Sequence, residues 1–291
     1  MGAPPKRAPL SPPLKPPVRK SAPPAQKPGA VVSNKKLSVI PWNADDEGEK
    51  ILIFGRSGIG KSSLAAQRNN AAWIGIDDGA RRLINPNTGN RMNVVDGIET
   101  FEDVRAALQS DIFDGYSDII IDTVTQLQTL ALESTFRRVR LSNNDVPKNI
   151  EDYGWHKGYR HWYDTMATLL TDCDRHVRDG RNIIMLAQGH TIRWPNAAGE
   201  DFIVEAPNLY HGNNVSTLNT FVEWCDHVLR IDYTNIEVDK QKKASSTKTR
   251  AVFVHPEAHF IAKSRTIPAD YDVVEFAHVA DDSIWRLIFG D

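Results

Sequence analysis

Nine consecutive residues, Gly55, Arg56, Ser57, Gly58, Ile59, Gly60, Lys61, Ser62 and Ser63, follow the apolar run Lys50 to Phe54 and lead into the helical stretch Ser63 to Gln67. A glycine-rich turn between strand and helix, closed by Lys-Ser, is the arrangement that wraps the phosphates of a nucleoside triphosphate. Gly55, Gly58 and Gly60 let backbone N–H groups turn inward, and the start of the helix offers an anion its positive dipole end. Lys61 is expected to reach the β and γ phosphates and the Ser62 hydroxyl to bind Mg²⁺. The metal needs a carboxylate near it, and Asp122 supplies one at the end of the triple-isoleucine run in SDIIIDT, where it orients Mg²⁺ through water. Hydrolysis further requires a group that orients water. Of Asp77 and Asp78 in WIGIDDGA, Asp78 is assigned that task; the alternative is that the pair only caps a turn before Gly79.

The elements that must position these groups are legible as short apolar runs alternating with longer helical patterns. Strands are predicted at 50–54, 72–76, 118–121, 182–187 and 228–233, and helices at 61–67, 101–110, 125–140, 154–178 and 215–224. Such alternation implies an α/β fold with a mostly parallel central sheet flanked by crossover helices. After Tyr233 the patterns AVFVH and HFIAK predict antiparallel strands at the C-terminal sheet edge. Residues 1–46 hold eleven of the seventeen prolines and are expected to form a disordered basic arm, with residues 47–291 as the folded domain. No apolar run approaches the roughly 18 residues of a membrane helix, and the amino terminus lacks a secretory apolar core, so a cytoplasmic protein with no membrane partner is expected. Cys173 and Cys225 have no metal-ligand spacing and are expected to be buried thiols.

Charge is unevenly spread. Residues 1–36 carry eight basic residues and no acid against a net charge of -2, so the body is acidic and any nucleic-acid contact must be local. One basic patch is KQKKASSTKTR, where Lys240, Lys242, Lys243, Lys248 and Arg250 suit phosphate contact in a predicted hairpin tip. The segment YGWHKGYRHWY offers rings for stacking on single-stranded bases, although Trp155, Tyr159 and Trp162 also share one face of an amphipathic helix, which favours core packing.

Together these pieces resemble the RecA-like P-loop ATPase core. In particular they resemble the phage-encoded ATP-binding proteins of the RecA and AAA type that include single-strand-annealing recombinases, over about residues 48–270. The resemblance implies ATP and Mg²⁺ as cofactors. It places Gln188 of NIIMLAQGHTIR at the position that senses the γ-phosphate, with His190 nearby, and puts Asp78 where a glutamate is more usual. It implies a DNA-binding loop in the polar connection from Arg193 to Thr220, which includes Trp194, Tyr210, His211 and Asn213. FIAKSRTIP resembles the segment whose cations reach a neighbouring subunit's nucleotide, making Lys263 and Arg265 candidate fingers in trans and implying a homo-oligomeric ring or filament. The expected function is a Mg²⁺-dependent, DNA-stimulated ATPase of phage recombination or replication that binds or anneals single-stranded DNA. Its expected partners include a single-strand-binding protein or another replication protein, in the host-cell cytoplasm if the chain is phage-encoded. Two alternatives stay open: a nucleotide-gated loader with slow hydrolysis, and a P-loop small-molecule kinase. The arginines nearest to a kinase lid, Arg137, Arg138 and Arg140, fall in a helical pattern.

Overall fold

The computed structural model of the chain describes residue 39 and residues 46–196, 198–234, 237–238, 244–245, 249–276 and 278–290. The basic arm, save two of its residues, and Lys240, Lys242, Lys243 and Lys248 lie outside the described residues. In chain order, β1 (Lys50–Gly55) runs into α1 (Lys61–Ala65), and β2 (Ala71–Gly75) leads through a 3₁₀ turn at Asp78–Ala80 to β3 (Asn93–Val94) and α2 (Phe101–Gln109). Next come β4 (Asp118–Asp122), α3 (Val124–Arg138), α4 (Lys157–Arg178), β5 (Asn182–Trp194), β6 (Phe202–Pro207), α5 (Thr217–Trp224) and β7 (His227–Tyr233). The short strands β8 (Glu237–Val238) and β9 (Ala244–Ser245) precede β10 (Arg250–Phe253), β11 (Lys263–Ser264), β12 (Val273–Phe276) and α6 (Ser283–Phe289).

The main sheet has the order β12-β10-β7-β1-β5-β4-β2-β3. From β7 to β3 every neighbouring pair is parallel, whereas β10, β11 and β12 pair antiparallel at the C-terminal edge. This is the mixed α/β architecture that the alternating pattern implies. Strands covered on both faces read as unbroken apolar runs, and here their alternate residues feed two cores. Leu52, Phe54, Ile119, Ile121, Ile183 and Met185 join one core with residues of α2, α3, α4 and α5. Ile51, Ile53, Ile120, Ile184 and Leu186 join the other, with Leu64 of α1 and Ile284, Trp285 and Ile288 of α6.

Helix starts follow their capping residues. Thr100 and Asp103 form a reciprocal capping box on α2, Thr123 caps α3 and Ser216 caps α5. The sequence pattern places α4 too early: Trp155 and His156 take left-handed φ values of 50° and 57°, and the helix begins at Lys157. The polar connection after β5 also contains structure not read from the sequence. β5 continues to Trp194, and β6 returns antiparallel along it, with Thr191 opposite Glu205. Both cysteines are free and buried, and burial pushes their thiols upward. Among the described residues no helix is long and apolar enough to cross a membrane.

Candidate functional site

Because β1, β4 and β5 are parallel neighbours, their C-terminal ends meet at one edge of the sheet, with Gly55 opposite Gln188. The loop from Gly55 to Gly60 turns there, using left-handed φ values at Gly58 (76°) and Gly60 (115°). Lys61 follows at the start of α1. Its ammonium donates to the carbonyls of Gly55 and Arg56, both at 2.9 Å, and to Gln188 Oε1 at 3.1 Å. The Ser62 hydroxyl donates to Asp122 Oδ2 at 2.8 Å. Gln188 is itself held by its backbone N–H, which donates to Thr125 Oγ1 at 3.0 Å. A cleft of about 330 Å³ lies over these groups, lined by the loop with Lys61, Ser62, Asp77, Asp122 and Gln188.

The cleft's electrostatics follow from burial. Desolvation pushes the Lys61 ammonium down, against the attraction of Asp122 and Asp77. Asp122 is pushed up to about 6 by desolvation, against the Ser62 hydrogen bond. The donor set fits a magnesium triphosphate: a hydroxyl and a buried carboxylate are hard oxygen ligands, beside a lysine and inward-facing backbone. Among the described residues no cluster of three or more His, Cys, Asp or Glu side chains forms a protein-only metal cage. Mg²⁺ does not require one, since it commonly keeps waters and takes phosphate oxygens alongside one or two protein ligands.

Three sequence expectations change on this geometry. Asp78 does not line the cleft: its side chain is 90% exposed and stands 3.8 Å from Arg81. Asp77 does line it, and its carboxylate accepts from the Gly79 N–H at 2.8 Å, because β2 ends at Gly75 and Asp77 caps the turn that follows. Lys263 and Arg265 lie at the other end of the sheet, where Lys263 is opposite Val228 near the start of β7. Lys263 Nζ donates to the carbonyls of Val222, Glu223 and Cys225, closing the carboxyl end of α5, and Arg265 pairs with Asp226 at 2.7 Å. Both cations thus have partners within their own chain. Arg250 is not at a hairpin tip; it opens β10 opposite Tyr233 and comes to rest against the phosphate loop. The arginines considered for a kinase lid border no part of the cleft, and Arg137 pairs with Glu102 at 3.0 Å.

Arg56, inside the loop, pairs with Asp232 of β7, which also pairs with Arg230. Arg230 Nε donates to Glu205 Oε2 of β6 at 2.7 Å, and its guanidinium lies beside the edge-to-face pair Phe253 and Phe260, 5.0 and 4.7 Å from their centroids. The loop and the β5–β6 hairpin are in close contact: a Cβ on Gly189 would stand 3.1 Å from the Gly55 backbone and 3.1 Å from Glu205 Oε1. From the sequence Asp77 is weighed only as the alternative to Asp78, and Thr125, Glu205 and Asp232 are not singled out as site groups. For Thr125 the available signal was its place in DTVT, just beyond the metal carboxylate.

Beyond Gln188, β5 carries His190, Ile192 and Arg193 into a second depression of about 560 Å³, which Tyr210 and His211 also line. Tyr210 and Asn213 are shared with an adjoining depression of about 480 Å³ that includes Trp155, Lys157, Tyr159 and Arg160. Among the described residues no carboxylate lines either one. Trp155 is 93% exposed, Tyr159 stacks on Tyr210 at 4.9 Å, and Trp194 stacks on His211 at 5.8 Å. The expectation of core packing holds for Trp162, which packs against the core, but not for Trp155.

A glycine loop closing a central parallel strand, lysine and serine at the helix that follows, and a buried carboxylate at the end of β4 define a P-loop nucleoside triphosphatase with a mixed α/β core. Residues 47–266 match the AAA domain family, and the chain belongs to it. Among solved structures, a KaiC-like protein from the hyperthermophilic archaeon Pyrococcus horikoshii OT3 is similar at 12% identity and a TM-score of 0.40, over 79% of this chain and 90% of that one. No curated protein matches the sequence.

Proposed function

We propose that the chain is a Mg²⁺-dependent ATPase whose turnover is coupled to single-stranded DNA, as in recombination or replication. The observation that carries this reading is β5. Its Gln188 touches Lys61 in the phosphate cleft, and a few residues on, the same strand lines an acid-free depression of aromatic and basic side chains. Rings accept bases of any sequence, and Arg193, Lys157 and Arg160 supply charge for the backbone between them. In the cleft, Lys61 would hold the terminal phosphates, Ser62 and Asp122 would hold Mg²⁺, and Asp77 would orient the attacking water. Mg²⁺ supplies charge neutralisation of the phosphate oxygens. Gln188 reports on the γ-phosphate by exchanging its contact with Lys61, and the strand carries that report to the DNA face.

Steady-state phosphate release with and without single-stranded DNA tests this reading, with Lys61→Ala as the blank. Stimulation by DNA that disappears in Lys61→Ala is the expected result. A specific observation favours a second reading, a nucleotide-gated loader with slow hydrolysis: the carboxylates lining the cleft are both aspartates, with no longer glutamate among them. Nucleotide-dependent DNA binding with turnover at the blank would select that reading.

A further inference from the structure

Five arginines among the described residues are buried or half-buried: Arg68, Arg105, Arg181, Arg230 and Arg250. Four of them have a carboxylate at hand. Arg68 meets Asp118 at 3.1 Å, Arg105 meets Asp172 at 2.5 Å, Arg181 meets Asp114 at 2.6 Å and Arg230 meets Glu205 at 2.7 Å. Arg250 has no carboxylate partner among the described residues. Its polar contact is with the Ile59 carbonyl oxygen in the phosphate loop, 3.4 Å from Nη1, and its guanidinium lies 4.9 Å from the centroid of Phe276. A half-buried cation held against a phosphate loop without a carboxylate neighbour is placed to meet the anion that the loop receives.

The register says which part of a nucleotide is within reach. Arg250 is opposite Tyr233, the last residue of β7, and β7 is parallel to β1, so Arg250 stands at the same end of the sheet as the phosphate loop. It stands on the β7 side of β1, away from β5 and β4, whose Gln188 and Asp122 line the terminal-phosphate cleft. The approach is close: a Cβ on Gly60, whose φ of 115° itself favours glycine, would meet the Arg250 Nη1 tip and push the flexible side chain aside.

We propose that Arg250 is a nucleotide-positioning residue that reaches the loop in cis and pairs with the α- or β-phosphate of the bound nucleotide. The proposal rests on the reading of Gly55 to Ser63 as a phosphate site. The test is calorimetric titration of the full chain with ADP and with adenylyl imidodiphosphate, each with Mg²⁺, for wild type, Arg250→Ala, Arg250→Lys and Lys61→Ala. A charge-assisted contact predicts that Arg250→Ala weakens both nucleotides about tenfold or more, and that Arg250→Lys recovers part of the loss. Unchanged affinity for both nucleotides would overturn the proposal and leave Arg250 as a support for the Ile59 carbonyl. So would a loss confined to the triphosphate analogue, or a loss of single-stranded DNA affinity with ADP binding intact. If thermal melting shows that Arg250→Ala does not fold, Arg250→Gln is held to the same outcomes. Should wild type and Lys61→Ala bind ADP alike, the phosphate-site reading itself fails, a result distinct from failure of Arg250 alone.

Discussion

Replacing Arg230 by methionine keeps much of its volume and removes its charge from the middle of a buried network. Its side chain is 8% exposed, that of Asp232 5% and that of Glu205 17%. After the change Asp232 keeps Arg56, but Glu205 loses the partner at 2.7 Å, and Phe253 and Phe260 lose the cation beside them. Removing one member of a buried ion pair costs about 3–5 kcal/mol, because the remaining charge is left uncompensated. For a domain of this size, about 2–4 °C per kcal/mol places the fall in Tm at roughly 6–20 °C. The control is Arg160→Met, whose pair with Asp164 joins side chains 62% and 52% exposed and is worth at most about 1 kcal/mol. Urea unfolding of both variants, with Glu205→Gln added to Arg230→Met, is the assay. Partial recovery in the double variant is expected, since the uncompensated charge goes with it. An Arg230→Met midpoint no lower than that of Arg160→Met would refute the reasoning.

Other outcomes follow from the cleft and the core. Asp77→Asn should lower kcat for phosphate release by about 10²–10⁴-fold, while Asp78→Asn stays near wild type; the reverse order would return the water-orienting role to Asp78. Asp122→Asn should weaken apparent Mg²⁺ affinity by about 10–100-fold in a Mg²⁺ titration of hydrolysis, as loss of a water-mediated metal partner does. His176 is buried, with Nε2 donating to the Leu108 carbonyl at 2.7 Å, and burial lowers its proton affinity in the fold. The unfolded chain therefore binds the extra proton first, so stability should be full above about pH 6.5 and fall as pH drops below it. Urea midpoints of wild type and His176→Gln across pH 5–8 check this, and a wild-type curve no steeper than the variant's would count against it.

What the sequence made legible was local. The phosphate loop, Asp122 and Gln188 each sit at the end of an apolar run whose direction the alternating pattern supplies. Asp77 and Asp78 differ by one position, and that choice depends on where β2 stops and which carboxylate caps the turn. Lys263 and Arg265 read as candidate fingers in trans from FIAKSRTIP, but their partners come from the end of α5, some forty residues earlier, through a register that no local pattern encodes. Arg250 looked like one more cation in a basic hairpin, and only its pairing with Tyr233 carries it to the loop. β6 was hidden because its run, FIVEAP, is short, interrupted by a charge and ended by proline.

The seam between Gly55 and Gly189 has a mechanical consequence. A methyl group between the phosphate loop and the β5–β6 hairpin would force its neighbours apart by a few tenths of an ångström, so a displacement of the loop has little slack to spend itself on. The two backbones behave as meshed teeth. A single added carbon at Gly189 would therefore act as a wedge between the phosphate loop and the hairpin, pressing on Gly55 from one side and Glu205 from the other.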